Sequence, residues 1–194
     1  ITNSSKRSEA DIISIIAESI FRLLIKIWIF GIFSSEKISS QSWINSISLR
    51  FGNVYGKYSS HKEGVINKWI RKSIINDCVD IYGDGKSTRD YIHVEDICDG
   101  IIASINRILE SQKLICEKYH LANNQEISLN DLSDIIETSS NKKLLRNFKT
   151  LRNGEVIRNC SEYDLAKRIL NFEPNKKFEK EIPVLYDWIK ENEF

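Results

Sequence analysis

Residues 81–97 read Ile81-Tyr82-Gly83-Asp84-Gly85-Lys86-Ser87-Thr88-Arg89-Asp90-Tyr91-Ile92-His93-Val94-Glu95-Asp96-Ile97, and the order of residue types in this stretch decides the fold class. Val79 to Tyr82 is a short run with apolar residues at alternate positions, which predicts a strand. The two glycines flanking Asp84 supply positive-φ positions, so Gly83 to Lys86 is a turn. Tyr91 to Val94 reads as extended. Glu95 to Leu109 then puts Ile97, Ile101, Ile105 and Ile108 on one face, the spacing of a helix. Strands that alternate with helices indicate an α/β chain.

The same alternation extends outward in both directions. Upstream, Ile44 to Phe51 alternates apolar and polar residues and predicts a strand. Gly52 to Lys62 reads as a loop, and Glu63 to Asn76 is helical through Val65, Ile66, Trp69, Ile70 and Ile74. Downstream, Lys118 to Ala122 predicts a strand and Asn123-Asn124 a turn. Ser128 starts a helix with Asp131 three positions on, the spacing of a capping box, and Leu129, Leu132, Ile135 and Ile136 form its buried stripe. Lys143 to Phe148 predicts a strand. Glu162 to Leu170 and Phe178 to Lys190 predict the last helices, with Pro174 between them and Pro183 early in the second.

Composition narrows the function classes. The chain has 194 residues, 41% hydrophobic and 28% charged, with a formal net charge of +1. So balanced a charge gives no bulk attraction for nucleic acid. The four cysteines, Cys78, Cys98, Cys116 and Cys160, form no CxxC pair, so neither a zinc ribbon nor a disulfide scaffold is implied. The three histidines are too dispersed for a zinc site, and no metal is expected. There is no methionine. No signal peptide is recognised near Ile1, which favours a cytoplasmic location.

Residues 12–33 are the one stretch apolar enough to suggest a membrane span. Glu18, Arg22 and Lys26 fall inside it at i, i+4 and i+8, along one helical stripe. Each charge near the centre of a span would cost roughly 2.5–3.5 kcal/mol, whereas on a soluble helix the stripe faces water. A soluble helix from Lys6 to about Trp28 is therefore expected, followed by a serine-rich loop from Ser34 to Ser42. Its wide apolar face suggests a partner as well as a core, and hence a homodimer through residues 6–33.

Three local patterns carry chemistry. Leu49 to Gly56 runs a strand into a glycine-containing loop and places Asn53 where open α/β sheets bind ligands. A structural asparagine in a turn is the alternative. The Gly-Asp-Gly turn delivers Arg89 into an extended segment before a helix. A guanidinium suits a phosphate because its fork donates two parallel bonds and stays charged. The alternative is an ion pair with Asp90 or Asp96. His93 reads as a hydrogen-bonded structural histidine, and Glu95 and Asp96 as N-terminal helix charges. Arg152, Asn153, Gly154 and Glu155 place a second arginine in a turn, which by spacing alone is a solvated loop.

Together these patterns resemble the nucleotide-sugar epimerase/dehydratase group of extended short-chain dehydrogenase/reductases, from Ile44 to the C-terminal end. Leu49 to Gly56 matches LRxxNVYG, and Gly83 to Asp96 matches GDGxxxRDYIHVxD. Tyr119 to Leu132 is similar to YNxGxGxxxSLxEL, Arg152 to Val156 to RPGDV, and Glu162 to Pro174 to SKAxxxLGWxP. The resemblance implies an incomplete Rossmann-like parallel sheet plus a smaller α/β substrate lobe. It implies a first domain remnant over residues 1–56 and a mainly substrate-binding lobe over 57–194, with some segments returning to the first.

It also implies roles. Asn53 would contact the diphosphate or sugar of a UDP-sugar, and Val65 and Ile66 would lie against the base through their backbone. Tyr82 would approach the nucleotide, Arg89 and Arg152 would bind the diphosphate, and Glu155 would lie near the ribose or sugar. The implied activity is an NAD-dependent 4-epimerase of polysaccharide and sugar-nucleotide biosynthesis, with a 4,6-dehydratase as the alternative.

The departures are equally specific. The family's GxxGxxG loop for NAD is absent, since the first glycine is Gly31. At the place of its Tyr-x-x-x-Lys pair stands Thr2-Asn3-Ser4-Ser5-Lys6. Lys6 matches the lysine, but threonine cannot replace a phenol as a base near neutral pH. Lys6 as an ordinary surface lysine is the other reading. These departures lead to the expectation of a partial chain, inactive alone, or of a non-catalytic sugar-nucleotide-binding or dimerisation module.

Overall fold

The computed structural model describes residues 45–59 and 62–194. Lys6, the segment 6–33 and the loop 34–42 lie outside the described residues. Strand β1, Ser46–Phe51, pairs in parallel with β5, Cys116–Leu121, with Leu49 opposite Tyr119 and Phe51 opposite Leu121. Parallel strands need a crossover, and the helix that delivers the chain to β5 is α2, Val94–Glu110. Gly100 lets α2 lie close to the sheet, because a Cβ there would sit 2.5 Å from Leu121 Cδ1.

Gly52 ends β1, and the next three residues form β2, Asn53–Tyr55, paired in parallel with β4, Thr88–His93. The sequence reads this piece as loop. Three residues are too short to show a period, and the pairing to β4 is what makes them a strand. Strand β4 also pairs antiparallel with β6, Glu126–Ser128, and in parallel with β8, Arg158–Asn159. It therefore begins at Thr88, three residues before the extended run seen in sequence, because β6 and β8 hold its polar first half. Strand β3, Val79–Tyr82, pairs in parallel with β7, Arg146–Lys149.

Helix α1 is Val65–Ile74, α3 is Leu129–Ser140, α4 is Asp164–Leu170 and α5 is Phe178–Glu193. The capping box is present: the Ser128 hydroxyl accepts from Asp131 N–H, and the Asp131 carboxylate accepts from Ser128 N–H. Asn141 and Asn171 end α3 and α4 in the left-handed region, a position that glycine usually takes.

Two hydrophobic clusters form. One joins α1, α3 and α5 to β3 and β4 through Ile70, Ile81, Leu132, Ile136, Phe178 and Ile182. The other lies between the β1–β5 pair and α2 and α4, around Ile97, Tyr119, Leu121 and Phe172. Strand β4 feeds both, Tyr91 to the first and Ile92 to the second. Successive residues of a strand point to opposite faces, so β4 is where the two clusters meet.

Candidate functional site

Arg89 leaves β4 toward the loop after β7. Its Nη2 donates to Glu155 Oε1 at 3.0 Å, and its Nη1 donates to the carbonyls of Val156 at 2.6 Å and Thr88 at 2.8 Å. The ion-pair partner is therefore Glu155, not the Asp90 or Asp96 considered from sequence. Both side chains of the pair are about a quarter exposed, at 21% and 25%, so water and solutes reach them.

The same loop supplies Arg152. Glu155 N–H bonds the Arg152 carbonyl at 3.2 Å, and Gly154 takes φ +78° to close the turn. The Arg152 guanidinium stacks over the Tyr82 ring, 3.6 Å from its centroid, a cation–π arrangement that holds the side chain against the end of β3. Glu155 also acts electrostatically on Arg152, raising its pKa further after the larger contribution of Tyr82. The 151–157 loop thus places Arg152 on Tyr82 and Glu155 on Arg89. Lys149, beside them on β7, is held by Asp80 at 3.0 Å.

Asn53 is not part of this arrangement. Its Nδ2 donates to the Asp90 carbonyl at 3.1 Å, tying the start of β2 to β4. At α1, Ile66 is buried and Val65 packs on the core, so neither side chain faces outward. Gly64 offers the first turn of α1 no side-chain cap, which leaves backbone N–H groups open there.

Two residues matter more than their sequence suggested. Asp90 has no exposed surface, and its carboxylate accepts N–H bonds from Asn123 and Asn124 at 3.1 Å and Ser161 at 3.2 Å. The only signal in sequence was an acid inside an extended run, with no indication of which loops it meets. His93 is the structural histidine expected. Its Nδ1 accepts from Glu95 N–H at 3.3 Å and caps α2. Burial lowers its pKa, against the pull of Glu95 and Glu181. Asp96 does more than charge a helix end: it accepts from the N–H groups of Asn175 and Lys176 and fixes the entry to α5.

The N-terminus of α2 does not fit a dinucleotide pyrophosphate. Helix α2 leads into the parallel pair, but it starts after His93 rather than after a glycine turn, and its first turn carries Glu95 and Asp96. Negative charge there repels an anion that a helix N-terminus would otherwise attract.

Residues 34–115 match the family model for the NAD dependent epimerase/dehydratase family. Over that stretch the chain is similar to this family. A putative UDP-glucose 4-epimerase of Methanocaldococcus jannaschii is 30% identical over 146 residues, covering 74% of this chain and 45% of that protein. A UDP-glucuronate 4-epimerase of Thermodesulfobacterium geofontis is 29% identical over 147 residues, covering 74% and 43%. The crystal structure of the UDP-glucuronic acid 4-epimerase from Bacillus cereus, in complex with UDP-glucuronic acid and NAD, aligns with TM-score 0.72 and 24% identity. It covers 81% of this chain and 49% of that one, and it shows the shared α/β fold. The chain spans about half the length of the relatives it matches. Among the described residues no helix is long and apolar enough to cross a membrane.

Proposed function

We propose that the chain is the sugar-nucleotide-binding part of a UDP-sugar 4-epimerase, and that Arg89 and Arg152 receive the diphosphate. The observation that carries this reading is that the loop bearing Arg152 is bonded to Arg89 through Glu155 and the Val156 carbonyl, which brings two arginines from separate elements to one loop. An anion with two phosphates can engage both guanidinium groups, each charge-assisted bond contributing about 1.5–3 kcal/mol. Tyr82 holds Arg152 and offers the nucleotide an aromatic face. Val65 and Ile66 serve through the backbone of the uncapped first turn of α1. Asn53 sets the β2–β4 junction beside the site.

In this reading residues 1–56 belong with the cofactor side and 57–194 mainly with the substrate side, and Lys6 is the candidate for the family's lysine. The reading extends to a cytoplasmic homodimer that associates through residues 6–33. NAD is the cofactor that the family's name implies, and the acidic first turn of α2 offers it no cradle. What the described residues do is bind and orient the phosphates.

Titration calorimetry with UDP and with uridine tests the proposal. UDP is expected to bind about tenfold or more tightly than uridine, the least that one charge-assisted bond supplies. Equal affinity for the two would overturn it.

A further inference from the structure

We propose that Glu155 is an internal counter-anion that latches the 151–157 loop onto Arg89, and that an incoming diphosphate opens the latch by displacing it. The inference rests on the reading just given and concerns the regulation of the same site.

The loop after β7 is tied to the start of β4 by few contacts, and Arg89 makes two of them. One guanidinium nitrogen takes Glu155 Oε1 and the other takes the Val156 carbonyl. The third contact is Thr88 N–H to the Ile157 carbonyl at 2.9 Å. The apolar side chains of the loop are partly exposed, Leu151, Val156 and Ile157 at 42%, 50% and 55%, and a Cβ on Gly154 would meet nothing within 4 Å. Arg152 over Tyr82 and Leu151 beside Gly83 hold the first half of the loop, and Arg89 is the main side-chain anchor of its second half, Glu155 to Ile157.

A phosphate oxygen asks of Arg89 the same donors that Glu155 now uses, and the two cannot share the fork fully. Binding a diphosphate at Arg89 therefore releases Glu155, and with it part of the loop that carries Arg152. Glu155 then acts against ligand binding. The family resemblance implies the opposite, a carboxylate that contacts the ribose or sugar and whose loss weakens binding. The two accounts predict opposite signs for one substitution.

The experiment combines UDP titration calorimetry with hydrogen exchange of residues 151–158, on the full chain as wild type, Glu155→Gln and Arg89→Ala. Glutamine keeps the shape of the side chain and removes its charge. An exposed ion pair is broken at small cost, so Glu155→Gln is expected to bind UDP about two- to fivefold more tightly than wild type. Arg89→Ala is expected to lose binding, and both variants to exchange faster at 151–158 without nucleotide. Weaker UDP binding by Glu155→Gln overturns the inference and makes the carboxylate a ligand contact. Unchanged exchange in both variants also overturns it, because the pair then latches nothing. Faster exchange in both variants, with no UDP uptake by the wild type, overturns the nucleotide reading while upholding the pair as a latch.

Discussion

Arg89 and Asp90 are consecutive on β4 and work on opposite faces of it. The Arg89 guanidinium bonds Glu155 and the Val156 carbonyl at the surface, while the Asp90 carboxylate takes the N–H groups of Asn123, Asn124 and Ser161 with no exposure to water. The loops that follow β5 and β8 are both fastened to Asp90, so the strand that presents Arg89 is itself held rigid.

Asp90→Asn is expected to destabilise the fold by about 3 kcal/mol or more, because an amide turns one acceptor into a donor facing buried donors. Equilibrium unfolding in urea measures this. A loss below about 1 kcal/mol would show that water replaces the missing acceptor.

Tyr91 behaves in the opposite way. Among the described residues its buried hydroxyl has no hydrogen-bond partner, and its ring stacks on Phe178 at a centroid distance of 5.2 Å. Tyr91→Phe keeps the stack and removes the unpaired group, so stability is expected to stay level or rise by up to about 1 kcal/mol. Thermal unfolding checks the sign.

Gly100 tests the approach of α2 to the sheet. Alanine would ordinarily gain about 1 kcal/mol over glycine within a helix. Here the added Cβ would lie 2.5 Å from Leu121 Cδ1 and 3.2 Å from Phe172 Cδ2, both in a packed cluster. Overpacking costs about 1–3 kcal/mol and wins, so Gly100→Ala is expected to lower the melting temperature. Pairing it with Leu121→Val should restore part of the loss.

His93 gives the fold a pH dependence. Burial holds its pKa below the ordinary 6.5, in the company of Glu95, Asp96, Lys176, Glu181 and the Tyr55 ring. Above pH 6.5 the imidazole is neutral in both folded and unfolded chains, and its contribution to stability is complete. As pH falls below that value the unfolded chain takes the proton first and stability declines, until pH passes the lower folded pKa. Melting curves from about pH 7.5 to about pH 5 should show this decline, and it should be flatter in His93→Asn, which can still cap α2 through an uncharged acceptor.

Much of this architecture was legible in the sequence because local rules govern it. The capping box at Ser128 and Asp131 and the Gly-Asp-Gly turn each depend on residues within a few positions, whereas the stripe expected for α2 holds at Ile97 but not at Ile105, which is 49% exposed while Gly100 and Ser104 are buried. Strands β2 and β8 were not legible: three and two residues carry no period, and their existence depends on pairing with β4. The partner of Arg89 was missed for a similar reason. Asp90 and Asp96 are its neighbours in sequence, but alternation along β4 turns Asp90 to the far face and brings Glu155, 66 residues away, within reach. Tyr82 and Arg152 were each singled out, but their stacking depends on β3 pairing with β7, which no short-range pattern announces.

The central claim is that Arg89 grips the diphosphate of a UDP-sugar, and UDP titration of Arg89→Ala beside Arg89→Lys tests it most directly. The account predicts that alanine lowers affinity about tenfold or more, and that lysine, a point charge without the fork, restores only part of it. Affinity for UDP unchanged in Arg89→Ala would contradict it.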